Sequence, residues 1–510
     1  MTISYFPFLN IAILIMTNLL IKEENESYYN QEEWQRGYQS QPNEYDYCVE
    51  DIEGKIPPEL QGTLFRNGPG LLEVQGVPLK HPFDGDGMVC AISFLPDGRV
   101  HFRNRFVRTE GYVKEQEAQK MLYRGVFGTQ KPGGWLNNLF DLKIKNIANT
   151  NIIYWGEKLL ALWEAGQPYR LDPNTLETLG IDDLDGVITD NGSISAHPCL
   201  DPHCELDKGQ PCLVNFSIKP GLSSTITVYE FNPQGQLLRC HSHITPGFCF
   251  IHDFAITEHY CIFLQNAVTF NPIPYILGLK GAGNCVKFQP NQPSRFIIIP
   301  RVPPYKQVKI IEAKAGFVFH HANAFEVKNK IYLDSIAYNS LPELQPNRSY
   351  LEIDFDQIDP SQLWRFTLDL NDNTVQSQKI SDRPCEFPVI NPQKVGQNYR
   401  YIYLNASHHP TENSPFQAIL KVDLETQQQE IHSFAPTGYV GEPIFVPHPN
   451  GITEDDGWLL VMVYNGTLHR SDLVILDAKD LSKPPIARVH LKHHIPYGLH
   501  GSWTSEIIDH

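Results

Sequence analysis

The chain lacks three things: an excess of positive charge, a Cys-x-x-Cys pair and any long run of helical periodicity. Its 41 Lys and Arg stand against 58 Asp and Glu, a net charge of −17. A surface of that sign repels phosphate backbones, which argues against a nucleic-acid partner. It gains nothing from anionic lipid, so any membrane contact must be apolar. The ten cysteines are spread irregularly from Cys48 to Cys385. That spacing predicts reduced, buried thiols in a cytoplasmic protein rather than a disulfide framework. Residues 1–21 carry no charged side chain, and residues 8–21 are strongly apolar. They lack the basic start and small-residue cleavage site of a signal peptide. The stretch is barely long enough to span a bilayer, and Pro7, Asn10, Thr17 and Asn18 interrupt it. Three readings compete for it: a true start at Met16, a membrane anchor, and a secretory signal.

What the chain has is turns, with 39 prolines and 35 glycines in 510 residues. That length exceeds one ordinary core and favours several domains or one closed repeat. One pattern recurs: a β-rich run, a tight polar turn, and a second run. The instances are Ile92-Ser-Phe-Leu-Pro-Asp-Gly98, Tyr169-Arg-Leu-Asp-Pro-Asn174, Tyr229-Glu-Phe-Asn-Pro-Gln-Gly235, Val286-Lys-Phe-Gln-Pro-Asn291, Trp364-Arg-Phe-Thr-Leu-Asp-Leu-Asn371, Leu420-Lys-Val-Asp-Leu-Glu-Thr426 and Val474-Ile-Leu-Asp-Ala-Lys479. Seven such hairpins predict an all-β chain, a seven-bladed β-propeller whose edges are protected by closure. A large irregular β-sandwich is the competing reading. The expected division is an N-terminal extension over residues 1–30 and one propeller over residues 31–510.

Four histidines fall at one phase of this repeat. His197, His252, His320 and His500 follow the turns at Asp172, Asn232, Pro290 and Asp477. Glu386 and Glu442 follow the turns at Asp369 and Asp423 in the same way. Equivalent positions of successive blades converge on a propeller's axis, so this register builds a ring of imidazoles backed by carboxylates. Neutral imidazole binds Fe, Cu, Ni or Zn. Four of them leave an octahedral ion with open positions for dioxygen, whereas four would close a tetrahedral zinc site. Each ligand needs an acceptor for its other ring nitrogen, which a buried Glu provides. Most of the 20 histidines have ordinary duties: His241, His243, His408, His409, His493 and His494 read as surface or satisfied core. Cys199, His203 and Cys204 beside His197 match no common zinc spacing, and Asp84 and Asp86 read as a turn.

Eight strings then become recognisable: Gly62-Thr-Leu-Phe-Arg-Asn-Gly-Pro-Gly70, His81-Pro-Phe-Asp-Gly-Asp-Gly-Met88, Ser195-Ala-His-Pro198, Ile251-His-Asp-Phe-Ala-Ile-Thr257, Phe319-His-His-Ala-Asn-Ala-Phe-Glu326, Cys385-Glu-Phe-Pro388, Gly441-Glu-Pro-Ile-Phe445 and Leu499-His-Gly501. In this order, from about Glu33 to Trp503, they resemble the carotenoid cleavage oxygenase family. The resemblance implies a seven-bladed propeller with loops and short helices capping one axial Fe(II). It implies His197, His252, His320 and His500 as ligands, with the first of the His320-His321 pair chosen. It assigns Glu164 to His252, Glu386 to His320 and Glu442 to His500; Glu164 is outside the repeat phase and rests on resemblance alone. Thr150 matches a residue whose methyl sits beside the open iron position.

The implied reaction uses O2 to split one double bond of an apolar carotenoid or apocarotenoid, at the 15,15′ position, into two carbonyl products. Trp163, Phe250, Phe254, Phe319 and Tyr338 adjoin the metal motifs and are the candidate tunnel residues, with ordinary core packing as the alternative for each. Residues 135–142 have an amphipathic look, with Trp135, Leu136, Leu139, Phe140 and Leu142 apolar, and the resemblance implies that this region borders the tunnel mouth and contacts a membrane surface. The competing functions are cleavage of another carotenoid or stilbene bond, and a non-catalytic carotenoid-binding propeller.

Overall fold

The computed structural model describes residues 28–189, 192–301, 307–342 and 349–508. The apolar segment at residues 1–21 lies outside the described residues.

Four of the repeats share a local device. The Asp or Asn that ends a strand turns its carboxyl or amide oxygen back onto the next backbone amides. Asp172 accepts from the amides of Asn174 and Thr175. Asn232 accepts from Gln234 and Gln236, Asp369 from Asn371 and Asp372, and Asp423 from Glu425 and Thr426. Such side-chain turns satisfy donors that the reversing backbone would otherwise strand. Gly98 and Gly235 supply the positive φ that their turns require, at +83° and +77°.

The strands assemble into seven antiparallel sheets of four or more strands. Six of the seven sequence hairpins mark the turn between a blade's third and fourth strands. The exception is Val286–Asn291. Strand Val286–Phe288 pairs instead with Val268–Phe270 in a two-stranded insertion, and the blade's own third strand is Ser294–Pro300. The ring is closed by the two ends of the chain. Gly501–Thr504 pairs with Gly62–Leu71, and Ile52–Gly54 pairs with Ala487–His490.

Seven apolar clusters hold the ring, and each fills the space between two neighbouring blades. Phe94, Phe102, Trp458 and Ile475 occupy the interface at the closure. Phe216, Phe254, Phe263 and Ile297 occupy another, with Phe254 stacked on Phe263 at 5.2 Å. Burying each such aromatic contributes about 1.5–3 kcal/mol, so inter-blade packing rather than any single sheet stabilises the ring.

One expectation needs correction. Cys204 and Cys212 form a disulfide, because the hairpin joining Cys199–Cys204 to Gln210–Lys219 brings their Cα atoms to 5.7 Å. The other eight cysteines are free thiols. Within residues 135–142, Trp135–Asn137 forms a single 3-10 turn. The apolar side chains Trp135, Leu136, Phe140 and Leu142 are exposed. Among the described residues no helix is long and apolar enough to cross a membrane.

Candidate metal centre

The innermost strand of each blade starts at the axis, and the four histidines enter there. His197, His252 and His500 stand just before Cys199–Cys204, Phe254–Ile256 and Gly501–Thr504; His320 lies within Phe317–Val327. One ring nitrogen from each lies within 4.8 Å of all the others. The Nε2 atoms of His197 and His252 are 2.9 Å apart. Two nitrogens at right angles on one metal, each at about 2.1 Å, would be about 3 Å apart. Nε2 of His320 is buried with no hydrogen-bond partner among the described residues. A buried imidazole nitrogen left without a partner is costly, and a metal ion is the partner that this donor set fits.

The opposite ring nitrogens are held by carboxylates. Nδ1 of His252 meets Glu164 at 2.8 Å, Nδ1 of His320 meets Glu386 at 2.6 Å, and Nδ1 of His500 meets Glu442 at 2.8 Å. These contacts fix the tautomer that leaves Nε2 free to bind metal. Glu164 reaches the ring from the loop after Lys158–Leu162, which is why it falls outside the repeat phase.

Burial pushes all three carboxyls toward the neutral acid, but the facing imidazoles, with Arg66 beside Glu442, hold each below the usual range. His197 is driven well down by burial and by the neighbouring imidazoles. Burial also pulls on His320, but Glu386 outweighs it and lifts the imidazole to about 9.

Each carboxylate is anchored a second time. Arg66 donates to Oε2 of Glu442 at 2.6 Å, and the Gly501 amide adds a 3.1 Å bond. Tyr338 donates its hydroxyl to Glu386 at 3.0 Å, and the Phe387 amide donates at 2.6 Å. Thr150, buried, donates to Glu164 at 3.3 Å, and its carbonyl accepts from the His500 amide at 3.1 Å. Sequence reasoning missed Arg66 and Phe387 as anchors, although both lie in motifs it singled out.

The aromatic candidates separate. Phe250, Phe319 and Tyr338 gather with Phe248, Phe270, Phe288 and Phe317 in one cluster beside the histidines. The Phe319 ring stands edge-on to His252 at 5.6 Å. Trp163 borders a cavity of about 20 Å³ shared with Asp84, Glu115 and Lys145. Phe254 is elsewhere: its ring is buried in the inter-blade core, so ordinary packing replaces the expected tunnel role. His321 turns away and bonds Ser335 at 2.7 Å. Cys204 is consumed by its disulfide, which removes the compact zinc alternative.

The family model described as retinal pigment epithelial membrane protein matches residues 38–505. The chain is 61% identical over 476 residues to apocarotenoid-15,15′-oxygenase of Synechocystis sp., covering 93% of this chain and 97% of that one. It is 31% identical to isoeugenol monooxygenase of Pseudomonas nitroreducens, covering 89% and 94%. It is 30% identical to resveratrol cleavage oxygenase 1 of Aspergillus fumigatus, covering 90% and 93%. The solved structure of cobalt-substituted Synechocystis apocarotenoid oxygenase superposes with a TM-score of 0.92 at 60% identity, covering 94% of this chain and all of that one.

Proposed function

The chain belongs to the carotenoid oxygenase family, and from that membership we propose that it is a non-haem Fe(II) dioxygenase cleaving an apocarotenoid at its central 15,15′ double bond. The observation that carries the metal assignment is the convergence of four imidazole nitrogens, three of whose rings are held from behind by carboxylates at 2.6 to 2.8 Å. All-imidazole ligation leaves the charge of the metal intact, which suits Fe(II) in an oxygen-activating site. Bound iron would supply the electrons and the open positions that dioxygen activation needs.

The chain's own residues do the rest. His197, His252, His320 and His500 hold the ion. Glu164, Glu386 and Glu442 orient three of them and keep the imidazoles basic. Phe250, Phe319 and Tyr338 line an apolar path that excludes water and aligns the polyene. Thr150 narrows the site next to Glu164. No general acid or base is required, because O2 adds across one C=C bond and leaves two carbonyls.

Peripheral membrane contact is part of the same proposal. Trp135, Leu136, Phe140 and Leu142 are exposed together with Ile273, Leu277 and Leu279. The two segments are tied by the Phe140 amide to the Ile276 carbonyl at 2.9 Å. Arg124 clamps both, donating to the carbonyls of Asp141 at 3.0 Å and Tyr275 at 2.9 Å. Such an apolar face suits uptake of a lipid-dissolved substrate on the cytoplasmic side of a membrane.

The test is aerobic incubation of Fe(II)-loaded protein with a C30 apocarotenal, products read by chromatography and mass. Retinal with a C10 dialdehyde supports the reading. Other aldehydes overturn the bond assignment but not the oxygenase. No cleavage of apocarotenoids, carotenoids or stilbenes by iron-loaded protein leaves the carrier reading.

A further inference from the structure

Phe387 holds a backbone conformation that its side chain disfavours. Its φ is +52°, in the left-handed region that non-glycine residues rarely enter. Pro388 follows, and a proline pushes its predecessor toward an extended conformation. Phe387 therefore opposes two local preferences at once. The strand register slips at the same place: Glu386 pairs with Asn405, but Val389 pairs with Tyr403. Phe387 and Pro388 thus stand opposite a single residue, the arrangement of a β-bulge, which re-aims side chains near functional sites.

The bulge turns the Phe387 amide away from the strand ladder and onto its own neighbour. The amide donates to Oε2 of Glu386 at 2.6 Å, the oxygen that also receives Nδ1 of His320 at 2.6 Å. Tyr338 occupies the other oxygen at 3.0 Å. Both oxygens are pinned, so the carboxylate cannot rotate off the imidazole. The Phe387 ring lies over His320 at 5.4 Å with 30° between planes, and 5.3 Å from His500.

We propose that Phe387 is a positioning residue, whose left-handed backbone locks Glu386 and through it aims Nε2 of His320 at the metal. This rests on the four-histidine metal site proposed above. Strain retained at such a point persists only where surrounding structure enforces it, here the amide hydrogen bond to Glu386 on one side and the packing of the ring against His320 and His500 on the other.

Backbone and ring make opposite predictions for substitutions. Glycine enters positive φ freely, while β-branched valine resists it. The test is chelator competition for Co(II) and Fe(II), with the visible absorption of the cobalt-loaded protein as a spectroscopic reading, on wild type, Phe387→Gly, Phe387→Leu and Phe387→Val. Thermal unfolding confirms that each variant folds. The expected order is Phe387→Gly within about threefold of wild type with an unchanged cobalt spectrum, Phe387→Leu weaker, and Phe387→Val weaker by about 10- to 100-fold with a shifted spectrum. The reverse order, with glycine worst and leucine mildest, would mean that only ring packing matters and overturns the proposal, as would equal affinities throughout. A wild-type chain that takes up no metal overturns the four-histidine reading itself, a result distinct from wild-type uptake that Phe387→Val leaves unchanged.

Discussion

Arg66 donates to Oε2 of Glu442 at 2.6 Å, from the strand that pairs with the one following His500. The same carboxylate receives Nδ1 of His500 through Oε1 and the Gly501 amide through Oε2. Every group facing it is a donor. A glutamine at this position has only one acceptor oxygen, so its NH2 must face a donor. Glu442→Gln is therefore expected to lower metal affinity or turnover by about 10- to 100-fold, read by chelator competition and by product formation. Unchanged iron content and turnover would remove Glu442 from the account.

The double histidine gives an internal control. His320 points its unpartnered Nε2 at the other three imidazoles, while His321 bonds Ser335. His320→Ala should abolish stoichiometric metal binding. His321→Ala should retain the metal and lose about 1–3 kcal/mol of stability, the cost of leaving a buried partner unsatisfied. Metal analysis and denaturant unfolding on both variants separate the two roles.

Stability should fall on mild acidification. His493 stacks on Tyr45 at 3.8 Å, and burial lowers its imidazole to about 4. Burial likewise lowers His81 to about 3, where its Nδ1 accepts from the Phe83 amide. Both folded-state values lie below the unfolded value of about 6.5, so the unfolded chain binds more protons in the window between. Their contribution is complete above about pH 6.5 and is lost as pH falls toward 4 and then 3. The urea midpoint should drop across that window, and His493→Phe, which keeps the stacking without titrating, should flatten part of the drop.

The exposed apolar face makes a separate prediction. Leu136→Glu with Phe140→Glu should release the protein from neutral liposomes in a flotation assay. Turnover of detergent-dispersed substrate should stay within about twofold, since neither side chain adjoins the histidines. Persistent flotation would move membrane contact away from this face.

The fold was legible because its determinants are local. An Asp or Asn at the end of a third strand makes its turn wherever the sequence places it, so five blades could be counted from those residues and a sixth from the Pro96-Asp97-Gly98 turn. The seventh miscounted because Val286–Asn291 has the same sequence pattern of a short apolar run and a Pro-containing turn but sits in an insertion, and that pattern does not report which strand pairs beyond it. Three of the four histidines were legible for the same reason: His197, His252 and His500 stand just before an innermost strand one blade after a counted turn, whereas His320 lies within its strand and followed the miscounted turn. Phe254 was misplaced because nearness to a ligand in sequence says nothing of direction: His252 stands before the strand that Phe254 opens, and the Phe254 ring packs against the preceding blade. Cys204 and Cys212 escaped because pairing is set by hairpin register rather than composition. Arg66 and Phe387 act through a 376-residue sequence separation and through a positive φ respectively, neither of which leaves a periodic trace.

The most direct measurement is oxygen uptake by iron-loaded and metal-stripped protein during single batches of C30 apocarotenal, with aldehydes counted in the same vessel. The predicted result is one O2 consumed and two aldehydes formed per polyene by the iron-loaded enzyme, and neither by the stripped enzyme until Fe(II) is restored. Cleavage without oxygen uptake, or equal cleavage by the stripped protein, would contradict an Fe(II)-dependent dioxygenase built on these four histidines.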